Sequence, residues 1–111
     1  MAYLIPTGVL EEDEGQGVPA AFTLRQNYPN PFNASTVIEF TLDQPSPVTL
    51  DVYNMLGQRI ATPVDEPLTA GVQRIDWDGK DQSGRQVASG VYFYRLVASD
   101  HVSTKRMVLL K

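Results

Sequence analysis

Apolar residues in this chain recur at every second position, in short runs separated by clusters of turn-forming residues. Alternation with a period of two puts one set of side chains on each face of an extended strand. No segment keeps the helical period for more than two turns, so the chain is confined to an all-β fold. In "TVIEFTL" (36–42), Ile38, Phe40 and Leu42 share one face, and Val37, Glu39 and Thr41 the other. "VTLDVY" (48–53) sets Val48, Leu50 and Val52 inward and Thr49, Asp51 and Tyr53 outward. "QRIATPV" (58–64) groups Ile60, Thr62 and Val64. Pro63 cannot donate a ladder bond there, so this run predicts an edge strand. "VQRIDW" (72–77) sets Gln73, Ile75 and Trp77 against Val72, Arg74 and Asp76. "VYFYRLVA" (91–98) is apolar on both faces, which predicts a central strand. "STKRMVLLK" (103–111) closes the chain, with Met107 and Leu109 opposed to Val108 and Leu110.

The breaks carry turn chemistry. They are "DQPSP" (43–47), "NMLG" (54–57), Asp78-Gly79, Ser83-Gly84 and "SDH" (99–101). Gly57 falls where a hairpin loop needs positive φ. With a short "FTL" strand at 22–24, seven strands fit into about ninety residues. That count and spacing predict a seven-stranded antiparallel immunoglobulin-like β-sandwich. Residues 1–21 lack any period and contain Pro6, Gly8, Gly15, Gly17 and Pro19. They read as a linker ahead of one domain at 22–111. Met1 and Ala2 read as an addition for expression, on a piece of a longer protein.

Charge is uneven. Four acids, Glu11 to Glu14, stand in a row, and the remaining nine acids balance the nine bases. The net charge of −4 therefore comes from one solvated run, and no basic face suggests nucleic acid as a partner. No stretch reaches the roughly 18 apolar residues of a membrane-spanning helix. A monomer without membrane insertion is expected, and the first ten residues do not have the pattern of a signal peptide.

Catalytic chemistry has little to build on. The chain has no cysteine and one histidine, which leaves no thiolate nucleophile and no zinc site. His101 is expected as an exposed turn residue beside Asp100. Ser99 or Ser103 near it would still need an oxyanion hole. Asp76, Asp78 and Asp81 resemble a calcium loop, but an EF-hand starting at Asp76 would put Lys80 at its fifth position and Val87 at its twelfth. A loose calcium site of another kind stays open; no cofactor or metal is expected. Trp77, the single tryptophan, is expected as a core anchor. A sugar-stacking platform with Tyr53, Tyr92 or Tyr94 is the sharper alternative.

Four segments in order, "NYPNPFNASTVIEFTL", "VTLDVYNMLGQRIATPVD", "AGVQRIDWDGKDQSGRQVASGVYFYRL" and "STKRMVLLK", carry a family resemblance. Together they resemble the type A C-terminal sorting domain of proteins exported by the type IX secretion system of Bacteroidetes and related bacteria. They also resemble the immunoglobulin-like domain of the flagellar hook-capping protein. The resemblance covers residues 22–111. Its structural marks are Tyr28, Pro29, Asn30, Pro31, Phe32 and Asn33, with Gly57, Trp77, Asp78, Gly79 and Gly90 further on. Ala34 departs from it, since many members carry proline after "PFN"; with a strand starting at Thr36 the change is expected to be harmless.

The resemblance implies a non-catalytic address at the end of an exported cargo protein, destined for the cell surface or the medium. Its implied partners are an outer-membrane translocon, a sortase-type protease and a cargo domain upstream. It implies translocon recognition at Lys105, Arg106, Val108, Leu110 and Lys111. An edge-pairing terminal strand suits that role, and residues 11–19 would supply a tether and cleavage region. An accessory module binding carbohydrate or a neighbouring domain, or a structural spacer, is the alternative. Within "NYPNPFN", Pro29 and Pro31 favour extended neighbours. Tyr28 and Phe32 are expected to cover one end of the sandwich, with Phe32 largely buried. The address is expected at the opposite end, in "STKRMVLLK".

Overall fold

The computed structural model describes residues 22–111. Seven strands follow one another: β1 (Phe22–Leu24), β2 (Thr36–Leu42), β3 (Ser46–Tyr53), β4 (Arg59–Leu68), β5 (Gly71–Trp77), β6 (Gly90–Ala98) and β7 (His101–Leu109). They form two antiparallel sheets, one ordered β1-β2-β5 and the other β4-β3-β6-β7. The fold is the expected immunoglobulin-like sandwich. The linker and cleavage region assigned to residues 1–21 lie outside the described residues.

The core follows the alternation. Ile38, Phe40 and Leu42 from one sheet meet Val48, Leu50, Val52, Tyr92, Tyr94, Leu96, Met107 and Leu109 from the other. β6 is interior, as its two apolar faces require, and proline-bearing β4 is an edge.

The inward phase of β4 differs from expectation. Leu50 faces Val64, Val52 faces Ala61 and Tyr53 faces Arg59, so the bulged strand carries one extra residue around Thr62 and Pro63 and another at Ile60. Ala61 and Val64 are therefore the buried residues, and Ile60 and Thr62 are only half-buried.

Two outward positions of β3 are also buried. The Asp51 carboxylate accepts a hydrogen bond from Thr62 Oγ1 at 2.7 Å, and Tyr53 packs with Phe93 in a small separate cluster. His101 is not a turn residue. It opens β7, half-buried, with its ring edge-on to Phe22 at 6.4 Å.

Candidate functional site

The candidate site is the carboxyl-terminal strand and the segment that holds it. β7 is an edge strand of its sheet, so one side of its backbone needs partners other than β6. Residues 26–32 supply them. Gln26 Nε2 donates to the Arg106 carbonyl at 2.6 Å, and the Val108 amide donates to Asn30 Oδ1 at 3.0 Å. The Phe32 amide donates to the Val108 carbonyl and the Leu110 amide to the Phe32 carbonyl, both at 2.9 Å. Phe32 thus forms a parallel bridge with Leu109. Edge pairing with a partner was expected here, but from Arg106 to Leu110 the edge is taken by the chain's own backbone and side chains.

"NYPNPFN" and "STKRMVLLK" therefore sit together and not at opposite ends. The first is anchored by Asn27. Its amide donates to Tyr94 Oη at 2.8 Å, and its Nδ2 donates to Thr36 Oγ1 and to the Pro29 carbonyl. Tyr94 Oη in turn donates to the Arg25 carbonyl. Residues 29–31 bend and do not run extended, and both X-Pro bonds are cis. Phe32 is buried to 1% exposure, as expected. Tyr28 is 78% exposed and covers nothing, which corrects its assignment as part of the seal.

Gly79 closes the other side. Its φ is +73°, and an added Cβ would lie 3.3 Å from the Ala34 carbonyl oxygen, so a side chain would press on the exit of the motif. Gly57 shows the expected positive φ, +81°, in a hairpin whose Asn54 Oδ1 accepts from the amides of Leu56 and Gln58. Gly90 opens β6 opposite Leu109.

The five residues assigned to recognition do not share one surface. Register places Lys105 opposite buried Tyr94, on the core side of β7, and it is half-buried. Arg106 and Val108 pair with Phe93 and Val91 and so face outward. Leu110 and Lys111 lie past the strand, exposed, with the Lys111 amide donating to Ser89 Oγ at 3.1 Å.

The other chemical candidates resolve into structure. Trp77 is buried between Phe32 and Tyr92, each 5.8 Å away edge-on, and its Nε1 donates to the Lys80 carbonyl. Tyr53, Tyr92 and Tyr94 are buried too, so the sugar-stacking platform does not exist. Asp78 Oδ1 accepts the Lys80 amide, and Asp81 Oδ1 accepts from the amides of Ser83 and Arg85. These donors hold the Asp81 carboxyl below the usual carboxylate range, the Arg85 amide contributing most. Among the described residues, no three or more histidine, cysteine or acidic side chains gather as a metal site.

The family model for the FlgD Ig-like domain matches residues 30–101. No curated protein matches the chain. Among solved structures, dimeric latent PorU from Porphyromonas gingivalis superposes with a TM-score of 0.68 at 20% identity, covering 84% of this chain and 10% of that one. PorZ, described as an essential surface component of the type IX secretion system of the same organism, gives 0.56 at 18% identity, covering 78% and 11%. The Pseudomonas fluorescens alkylpurine DNA glycosylase AlkC, solved on DNA, gives 0.53 at 18% identity, covering 87% and 32%. This chain spans about a tenth of PorU and PorZ. At these identities the likeness is one of fold, and its spread over unrelated proteins means that function must be argued from the site.

Proposed function

The chain belongs to the FlgD Ig-like domain family, and from that premise we propose that it is a type A C-terminal sorting domain for type IX export. In this reading it is not an enzyme. It is a folded address that an outer-membrane translocon recognises on a cargo bound for the cell surface or medium, where a sortase-type protease can detach it. The observation that carries the reading is the latch between Asn30–Phe32 and Arg106–Leu110. It ties residues 106–110 to the folded domain, so that an address in them exists only once the sandwich has formed. A machine that must accept folded cargo and refuse unfinished chains needs a signal of that kind. Likeness of fold to PorU and PorZ agrees with this setting.

The test is a fluorescent reporter carrying an export signal and ending in residues 1–111, expressed in a type IX-competent host. Surface display is expected, and retention in the periplasm overturns the reading. Deleting 107–111 is a poor control, because Met107 and Leu109 are core residues. Losing two such side chains removes several kcal/mol, on the order of a domain's whole stability. Arg106→Glu is cleaner, since Arg106 is exposed whereas Lys105 is not.

A further inference from the structure

Strand register builds one rung across the outside of the four-stranded sheet. Arg59 on β4 pairs with Tyr53 on β3, Tyr53 with Phe93 on β6, and Phe93 with Arg106 on β7. The next residues along, Val52 and Tyr94, belong to the main core, so the rung faces away from it. It reads cation, ring, ring, cation. Tyr53 and Phe93 are each only 6% exposed although they lie on the outer face, and Val91 packs against them. Val91 in turn pairs with Val108.

Arg59 and Arg106 are exposed and have no acidic partner among the described residues. Both ion pairs found there involve Glu39, with Arg25 and Arg74, on the other sheet. The rung behind holds Asp51, Arg95 and Thr104. Asp51 is buried and engaged by Thr62, while Arg95 Nη1 donates to Tyr53 Oη at 3.1 Å. Asp65 lies further along this face, opposite Thr49, and Asp81 lines a cavity beside Arg59 while engaged by the turn at 81–85.

We propose that this rung is a docking surface for an acidic protein segment. Arg59 and Arg106 would together read it as part of the export address, an extension that rests on the function proposed above. Charge complementarity selects the partner: two exposed guanidinium groups without an ion pair among the described residues stand on either side of two buried rings, and each can take a carboxylate through paired hydrogen bonds. The spacing selects its form. Three inter-strand steps separate the arginines by about 14 Å, which an extended segment spans in about four residues. The fitting segment therefore carries acids four positions apart. Arg59 precedes the terminal strand by more than forty residues, and only the strand order brings it into the address.

The direct test titrates the full 1–111 chain with a ten-residue probe peptide. The probe bears glutamates four positions apart and serine or glycine around them. Amide shifts are expected at Arg59, Tyr53, Phe93 and Arg106, with at least tenfold weaker binding in 0.5 M salt than in 0.05 M. Arg59→Glu should abolish them, Arg59→Lys should keep part, and a probe with lysines for glutamates should give none. Shifts elsewhere, or equal shifts with Arg59→Glu, overturn the surface. So does binding of anionic lipid vesicles at this face without peptide binding. In the export assay, Arg59→Glu alone should lower surface reporter at least fivefold, with Arg25→Glu/Arg74→Glu near the wild type. Equal export by Arg59→Glu and wild type removes the rung from the address. Failure of the wild type to export, with peptide bound at the rung, overturns the export reading and leaves the docking surface standing.

Discussion

The side-chain oxygen of Asn30 accepts the amide hydrogen of Val108 at 3.0 Å, across 78 residues of sequence. That bond joins the first marked motif of the chain to its last strand, and its loss can be measured. Asn30→Ala should cost about 1 kcal/mol of stability and speed exchange of the Val108 amide roughly fivefold. Asn30→Asp keeps the acceptor and should do neither. Hydrogen exchange on the three proteins compares them directly, and an unchanged Val108 amide in Asn30→Ala would contradict the latch.

Ala34 sits at φ +76°, in a region where a side chain carries a steric penalty. Proline cannot adopt that angle, so the proline that the family resemblance would put here does not fit this backbone conformation. Ala34→Gly should raise stability by up to about 1 kcal/mol, and Ala34→Pro should lower it by more. Thermal denaturation of the pair measures both signs.

Thr104 is 2% exposed, and its hydroxyl oxygen has no hydrogen-bond partner among the described residues. A buried hydroxyl without a partner costs roughly 1–3 kcal/mol against an apolar group of the same shape. Thr104→Val should therefore stabilise the domain by about 1 kcal/mol, read as a higher denaturant midpoint at unchanged slope. Thr104→Ser keeps the hydroxyl and loses a methyl, so it should not stabilise.

Asp81 gives the turn at 81–85 a pH dependence. Its carboxyl is lowered from 3.8, first by the Arg85 amide and then by the Ser83 hydroxyl, with burial opposing. A lowered carboxylate favours the fold above its ordinary value, and that contribution is lost as pH falls through the folded value. The Ser83 and Arg85 amide resonances should therefore move at a pH below the ordinary carboxylate value of 3.8. Asp81→Asn should abolish the movement.

The alternation of Ile38, Phe40 and Leu42, or of Val48, Leu50 and Val52, was enough to place the inner faces, because a period of two is local. The phase of β4 was not legible. The strand slips register twice, near Pro63 and again beside Ile60, so its inward phase changes along its length. Burial of Asp51 and Tyr53 was hidden for another reason: they pack sideways, against Thr62 and Phe93 on neighbouring strands. Arg106 could be singled out from the terminal strand, but not Arg59. Nothing in the spacing of either residue encodes the order β4-β3-β6-β7 that aligns them. The latch escaped for the same reason, since Asn30 and Val108 meet only after β2 and β7 are in place.

Phe32 and Tyr28 belong to one motif and should behave oppositely. Phe32 is enclosed, edge-on to Trp77 at 5.8 Å, and Trp77 is in turn edge-on to Tyr92. Phe32→Ala removes a ring from a close-packed interior and should cost about 3–5 kcal/mol. It should also admit water beside Trp77. Because Trp77 is the single tryptophan, its emission reports this end of the sandwich and should shift to the red even in protein that stays folded. Phe32→Leu refills most of the space and should recover much of the loss. Tyr28 stands in solvent, so Tyr28→Ala should change stability by no more than about 0.5 kcal/mol and leave the emission alone. Equal losses from Phe32→Ala and Tyr28→Ala would mean that the motif seals the sandwich with both rings, contrary to the packing seen at Trp77.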